Sequence, residues 1–167
     1  MDTLDAIKQR RSVRCFEYHP IPKDVLVQLI DCGRWAPSGR NEQPLEYVVV
    51  DDPRVIREVA AMTDNGTFMD EAGALIAVLS REARYFLEDG AAATENILLA
   101  ATACGLGSCW IAGDKKYYAE QVCARLGAPE GYRLVSIVAV GNAAEPASAR
   151  SRRPLGDILH WNRYREK

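Results

Sequence analysis

The chain has 167 residues, 48% hydrophobic and 26% charged, with a net charge of −2. That length suits one domain able to bury a sizeable core. The near-neutral charge argues against a general nucleic-acid binder, which needs a broadly basic face.

The N-terminus carries Asp2, Asp5 and Lys8, unlike a signal peptide, and no run is apolar enough to span a membrane. Asp2–Gln9 reads as a short helix, with Asp2 as its cap and Leu4 and Ile7 on one face. Arg10-Arg11-Ser12-Val13-Arg14 follows. Three guanidinium groups and a hydroxyl can grip an anion. The alternative is a solvated basic helix end, favoured there by the helix dipole.

Pro20 and Pro22 make an extended link. Lys23–Trp35 is predicted as a helix, with Val25, Leu26, Leu29 and Ile30 in one stripe, ended by Ala36-Pro37. Pro37-Ser38-Gly39-Arg40-Asn41-Glu42-Gln43-Pro44 is a loop rich in turn formers. It is either a plain surface loop or a polar wall reading the edge of a heterocycle.

Leu45–Val50 is a predicted strand and Arg54–Met62 a helix. Residues 63–70 read as irregular. Ala74–Leu79 is a continuous apolar run, as in a strand covered on both faces. Residues 80–89 fit no single element. Gly90–Cys104 is alanine-rich and apolar nearly all round, so it is predicted as a buried helix, capped by Gly105 in the left-handed conformation.

Gly105-Leu106-Gly107-Ser108-Cys109-Trp110-Ile111-Ala112-Gly113 has G-x-G but lacks the third glycine of a dinucleotide fingerprint. Its glycines still let backbone approach a flat ligand. Lys115–Leu126 is a predicted helix ended by Gly127, and Arg133–Val140 a strand. A polar linker over residues 145–151 leads to a second basic cluster at Arg150–Arg153.

The five cysteines, at positions 15, 32, 104, 109 and 123, are odd in number and lack CxxC spacing, which points to reduced thiols in a cytoplasmic setting. With only His19 and His160, a metal site has little support. Trp35, Trp110 and Trp161 read as core aromatics rather than ligand-lining ones. Interleaved strands and helices indicate an α+β or α/β layered fold in one domain covering residues 1–167.

Three stretches, in this order and spacing, resemble the nitroreductase family of FMN-dependent oxidoreductases. They are Arg10–Arg14, Ala36-Pro37-Ser38 with Asn41 and Gln43-Pro44, and Gly105–Ile111 after the alanine-rich helix. Arg152-Arg153-Pro154-Leu155 followed by His160-Trp161 fits the same pattern.

The resemblance implies an α+β sandwich with a mixed, mostly antiparallel sheet, built as an intertwined homodimer with FMN at the interface. Arg10 and Arg14 would face the flavin's pyrimidine edge and ribityl chain, and Ser12 its phosphate, with Arg11 in the same motif. Pro37, Ser38, Gly39 and Asn41 would come from the partner subunit. Ile111, Ala112 and Gly113 would pass the isoalloxazine, with Gly113 or Ala112 offering a backbone N–H near N5. Arg152 and Arg153 would hold the phosphate.

The implied reaction is ping-pong: NADH or NADPH gives hydride to flavin N5, and a small-molecule acceptor such as a nitroaromatic or quinone then takes its place. No side chain is implied as acid or base, since the cofactor carries the chemistry.

Two features depart from the family pattern. Leu45 follows Gln43-Pro44 where an aromatic is common, and residues 80–89 replace a longer helical insertion. The short segment suggests an open substrate site with cover from Tyr85 and Phe86. Three rivals remain open from sequence: other flavin chemistry on the same scaffold, such as dehalogenation or dehydrogenation; a phosphate-ligand binder without catalysis; and a cysteine redox protein using Cys104 and Cys109.

Overall fold

The computed structural model describes residues 1–148 and 150–164. Helix α1 spans Thr3–Gln9, and the Asp2 carboxylate accepts from the Asp5 N–H at 2.9 Å, as the capping position requires. Strand β1 (Phe16–Glu17), helix α2 (Lys23–Arg34), strand β2 (Leu45–Val50) and helix α3 (Pro53–Met62) follow. Next come strand β3 (Ala74–Ser80), helix α4 (Phe86–Ala103), strand β4 (Gly107–Ala112), helix α5 (Ala119–Arg125), strand β5 (Arg133–Ala143) and helix α6 (Leu155–Ile158). Residues 63–70, expected to be irregular, lead into a 3-10 turn over Thr67–Glu71.

The sheet runs β1-β5-β3-β2, and β4 also pairs with β5. Every ladder between these strands is antiparallel. The expected mixed character therefore reduces, among the described residues, to one isolated parallel bridge, Ser12–Ser108. β3 is buried along its whole length, because helices cover both faces of the sheet. On one face, α2 and α4 pack Leu26, Leu29, Ile97 and Leu98 against Ile76, Val78, Val138 and Val140. On the other, α3 and α5 pack Ile56, Val59 and Val122 against Leu75, Leu79 and Ile137.

α4 begins at Phe86, four residues before the predicted start, and so absorbs residues 86–89 of the unassigned segment. Tyr85 occupies its N-cap without a side-chain capping bond, which is why no capping signal marked it. Gly105 (φ +77°) and Gly127 (φ +72°) take the left-handed conformation predicted for helix ends. α5 starts later than expected, at Ala119, because Lys115 (φ +61°) breaks the chain into turns.

Leu4 and Ile7, read as sharing one face of α1, are both exposed, as α1 touches the core through Ala6. One expectation about exposure fails. Trp35 and Trp161 are about three-quarters exposed and Trp110 about one-third, so none is a core residue. The outer side of α4 is also only half covered, at Ala91, Ala92, Glu95, Asn96 and Leu99. No helix among the described residues is long and apolar enough to cross a membrane.

One buried polar atom yields a stability prediction. The Tyr47 hydroxyl on edge strand β2 has no hydrogen-bond partner among the described residues. Burial, with a smaller push from Glu46, raises its pKa from 10.0 to about 12. The unfolded chain loses this proton first, so stability falls as pH rises from 10 towards 12. Tyr47→Phe removes an unpaired group and that slope together. Thermal melts at pH 7 and above pH 10 are expected to show an unchanged or higher Tm at neutrality and a shallower alkaline decline. A marked loss at pH 7 would contradict it.

Candidate functional site

The site is built on the outer edge of β4. One side of this strand is taken by β5. On the other, the chain after α1 runs alongside its start: the Val13 N–H donates to the Ser108 carbonyl at 2.9 Å, and Val13 packs on Gly107. A Cβ on Gly107 would lie 3.0 Å from the Val13 side chain, so the close approach depends on glycine. Beyond Ser108 the outer edge of β4 has no strand partner among the described residues. An edge strand leaves alternate backbone N–H and C=O groups without a ladder partner.

Arg10, Ser12 and Arg14 gather at this edge. All three act on the buried Cys109 thiol. Burial pushes that thiol up, while the Arg14 charge, the Ser12 hydroxyl and the Arg10 charge pull the other way. Arg10 Nε lies 3.2 Å from Glu95 on α4. The pair has ion-pair distance but not hydrogen-bond direction, so this buried N–H is without a hydrogen-bond acceptor among the described residues. The buried Ser108 Oγ is likewise unpartnered.

Arg11 faces elsewhere. Its guanidinium donates to the carbonyls of Lys8 (2.6 Å) and Arg10 (2.8 Å), covering the C-terminal end of α1.

At the far end of β4, the Ile111 side chain is buried in the core with Val13, and the residue is paired with Ile137 of β5. Ala112 is exposed, and its carbonyl accepts from the Tyr118 hydroxyl. Gly113 gives its N–H to the Val135 carbonyl at 3.1 Å. Its lack of a side chain also answers to the fold, since a Cβ would sit 2.8 Å from the Leu134 carbonyl oxygen.

The loop with Pro37, Ser38, Gly39 and Asn41 is attached to the same long helix, but elsewhere on it. The Gly39 N–H donates to the Asp89 carboxylate at 2.9 Å. Asp89 and Glu95 are six residues apart on α4, about 9 Å along the axis and on different sides of it. Within one chain, then, the loop and the arginine cluster hang from separate faces of one helix.

Tyr85 lies against Gly39, and Phe86 is half-buried under the Arg133 guanidinium, 4.0 Å from its ring. Tyr85 thus braces the 37–44 loop, and Phe86 the start of β5. Arg152 and Arg153 are exposed, with hydrogen bonds only to carbonyls of the tail among the described residues, those of Arg150, Ser151 and Asp157. Their guanidinium groups make no ion pair there. Asp89, Glu95 and Tyr118 had no local sequence signal, because their partners are distant in the chain or lie in backbone.

These donors suit an anionic, flat ligand: arginine forks for charge, edge N–H groups for ring heteroatoms, and orphaned Arg10 and Ser108 atoms for further acceptors. Comparison with known proteins agrees. The nitroreductase family model matches residues 7–65 and 61–142. An Archaeoglobus fulgidus protein, provisionally named NADH dehydrogenase/NAD(P)H nitroreductase, is 31% identical over 147 residues, covering 84% of each chain. A Methanothermobacter thermautotrophicus relative provisionally given the same name is 30% identical over 115 residues, which span 66% of this chain and 60% of that protein. The solved NADPH:FMN oxidoreductase of Vibrio harveyi, complexed with NAD+, superposes with a TM-score of 0.86 at 25% identity, covering 98% of this chain and 78% of its own. The chain belongs to the nitroreductase family.

Proposed function

We propose that this protein is an FMN-dependent oxidoreductase that takes hydride from NADH or NADPH and reduces a small-molecule acceptor, a nitroaromatic or quinone, in a ping-pong cycle. The observation that carries this is the gathering of Arg10, Ser12 and Arg14 at the open edge of β4, around Cys109. The Vibrio relative's name supplies the cofactor and donor class.

Bound FMN would supply the hydride-carrying ring. The chain's task is to bind and tune it. Arg10 and Arg14 place fixed positive charge where the reduced ring is most negative, which favours reduction. Ser12 donates a hydroxyl, and Arg152 and Arg153 bring guanidinium groups suited to a phosphate. The backbone of Ile111 and Ala112 gives a narrow surface for the ring.

The site is completed by a second copy. Pro37, Ser38, Gly39 and Asn41 of one chain lie on a different side of α4 from its own arginines, so they serve the partner's flavin. The outward apolar side chains Leu4, Ile7, Trp35, Leu155, Ile158 and Trp161 give that partner a surface to cover.

The cysteine reading is disfavoured. Cys109 is 2% exposed, its thiol is pushed up by burial, and it contacts the Trp110 carbonyl. Reactive cysteines need the opposite shift and access. Replacing Cys104 and Cys109 by serine is expected to leave acceptor reduction within about threefold. Steady-state kinetics with NADH or NADPH and menadione test the main reading. Parallel double-reciprocal lines are expected; intersecting lines, or no turnover with FMN bound, would overturn it.

A further inference from the structure

The loop from Pro37 to Pro44 is held in a conformation its sequence does not favour. Arg40 (φ 57°), Asn41 (φ 58°) and Gln43 (φ 46°) all sit in the left-handed region. Asparagine tolerates that region; arginine and glutamine do so rarely. Three such residues within four positions persist only where the surroundings fix them.

The fixing contacts converge on the start of α4. Asp89 is 6% exposed and forms no ion pair among the described residues. A buried carboxylate without a cation is unfavourable unless hydrogen bonds satisfy it. Asp89 accepts from the Gly39 N–H at 2.9 Å and lies in the first turn of α4, where the helix dipole favours negative charge. Gly90 keeps this turn tight on the sheet, since a Cβ there would meet Val135 at 2.6 Å. Gly39 in turn lies flat on Tyr85, where a Cβ would be 2.4 Å from the ring. The other end of the loop is tied by the Arg81 guanidinium to the Glu42 carbonyl (2.9 Å) and by the Arg81 N–H to Pro44 (3.1 Å). Ser38 Oγ accepts from the Gln43 N–H at 3.1 Å and closes the turn.

We propose that Asp89 is a positioning residue: its buried carboxylate tethers Gly39 and so holds the Pro37–Pro44 loop in the strained shape in which it meets FMN. This rests on the FMN reading above. Asp89 touches no ligand itself. It acts through the Gly39 N–H, and Arg81 completes the clamp.

The test uses the full-length apo-protein of wild type, Asp89→Ala, Asp89→Asn and Arg81→Ala. Two quantities are read: hydrogen exchange of the peptide covering residues 37–44 without FMN, and the FMN dissociation constant from fluorescence quenching. Asp89→Ala is expected to exchange faster and to bind FMN more weakly, each by about tenfold. Asp89→Asn keeps a carbonyl acceptor and is expected to restore both to within about threefold of wild type. Arg81→Ala, at an exposed side chain, is expected to move both in the same direction by less.

Unchanged exchange and affinity in Asp89→Ala would overturn the proposal, as would Asp89→Asn as impaired as Asp89→Ala. If Asp89→Ala does not fold, Arg81→Ala decides: faster loop exchange with unchanged FMN affinity overturns the link between loop and cofactor. Wild type that binds no FMN, with loop exchange still answering to Asp89, would instead sink the flavin reading and leave the tether as a purely structural one.

Discussion

Arg14→Ala is expected to weaken FMN binding by about 10- to 100-fold, the range for removing one charge-assisted contact. Arg14 is exposed and makes no ion pair among the described residues, so little folding stability goes with it. Its charge acts on Cys109 more strongly than that of Arg10. Arg10→Ala is a less clean change, because it also frees Glu95. Arg14→Lys restores charge but not the planar fork, so it is expected to recover only part of the affinity. Equal FMN affinity in wild type and Arg14→Ala, with an unchanged melting temperature, would remove Arg14 from the site.

The largest effect on folding is expected at the α2–α4 seam. Ile97 is fully buried, and it sits in a notch made by Gly33: a Cβ there would be 2.9 Å from Ile97 Cγ1. Ile97→Ala leaves a cavity between two helices and the sheet and is expected to lower stability by about 2–5 kcal/mol. Gly33→Ala alone crowds Ile97 and is expected to be destabilising or neutral, despite its better helix propensity. Combined, the two changes fit each other, since the new methyl enters the space that Ile97 vacates. The double variant is therefore expected to be more stable than Ile97→Ala alone, by denaturant midpoint. Strict additivity of the two penalties would show that the notch is not the packing determinant.

Local signals carried much of the fold. Asp2, Gly105 and Gly127 marked helix ends because caps depend on a few adjacent residues. Leu45–Val50 was legible from its valines and the flanking prolines. Strand direction was not: a fully apolar run shows that both faces of Ala74–Ser80 are covered, and an antiparallel sheet between two helical layers covers them equally well. The start of α4 was hidden because Tyr85 caps nothing with its side chain.

The candidate site divides along the same line. The donors at 10–14 were visible as chemistry, and the structure brings Arg10, Ser12 and Arg14 together at Cys109. The same spacing could not show that Arg11 turns back to cap α1, or that the Gly113 N–H is engaged by Val135. Asp89 is 50 residues from the glycine it holds, so it looked like any acidic residue in a helix's first turn.

The most direct test of the FMN oxidoreductase reading is the visible absorption spectrum of the purified protein, loaded with FMN, before and after anaerobic addition of NADH or NADPH. The account predicts a flavin spectrum that bleaches, and the more effective donor names the nicotinamide preference. A protein that takes up no FMN, or whose bound flavin is unchanged by either donor, would contradict it.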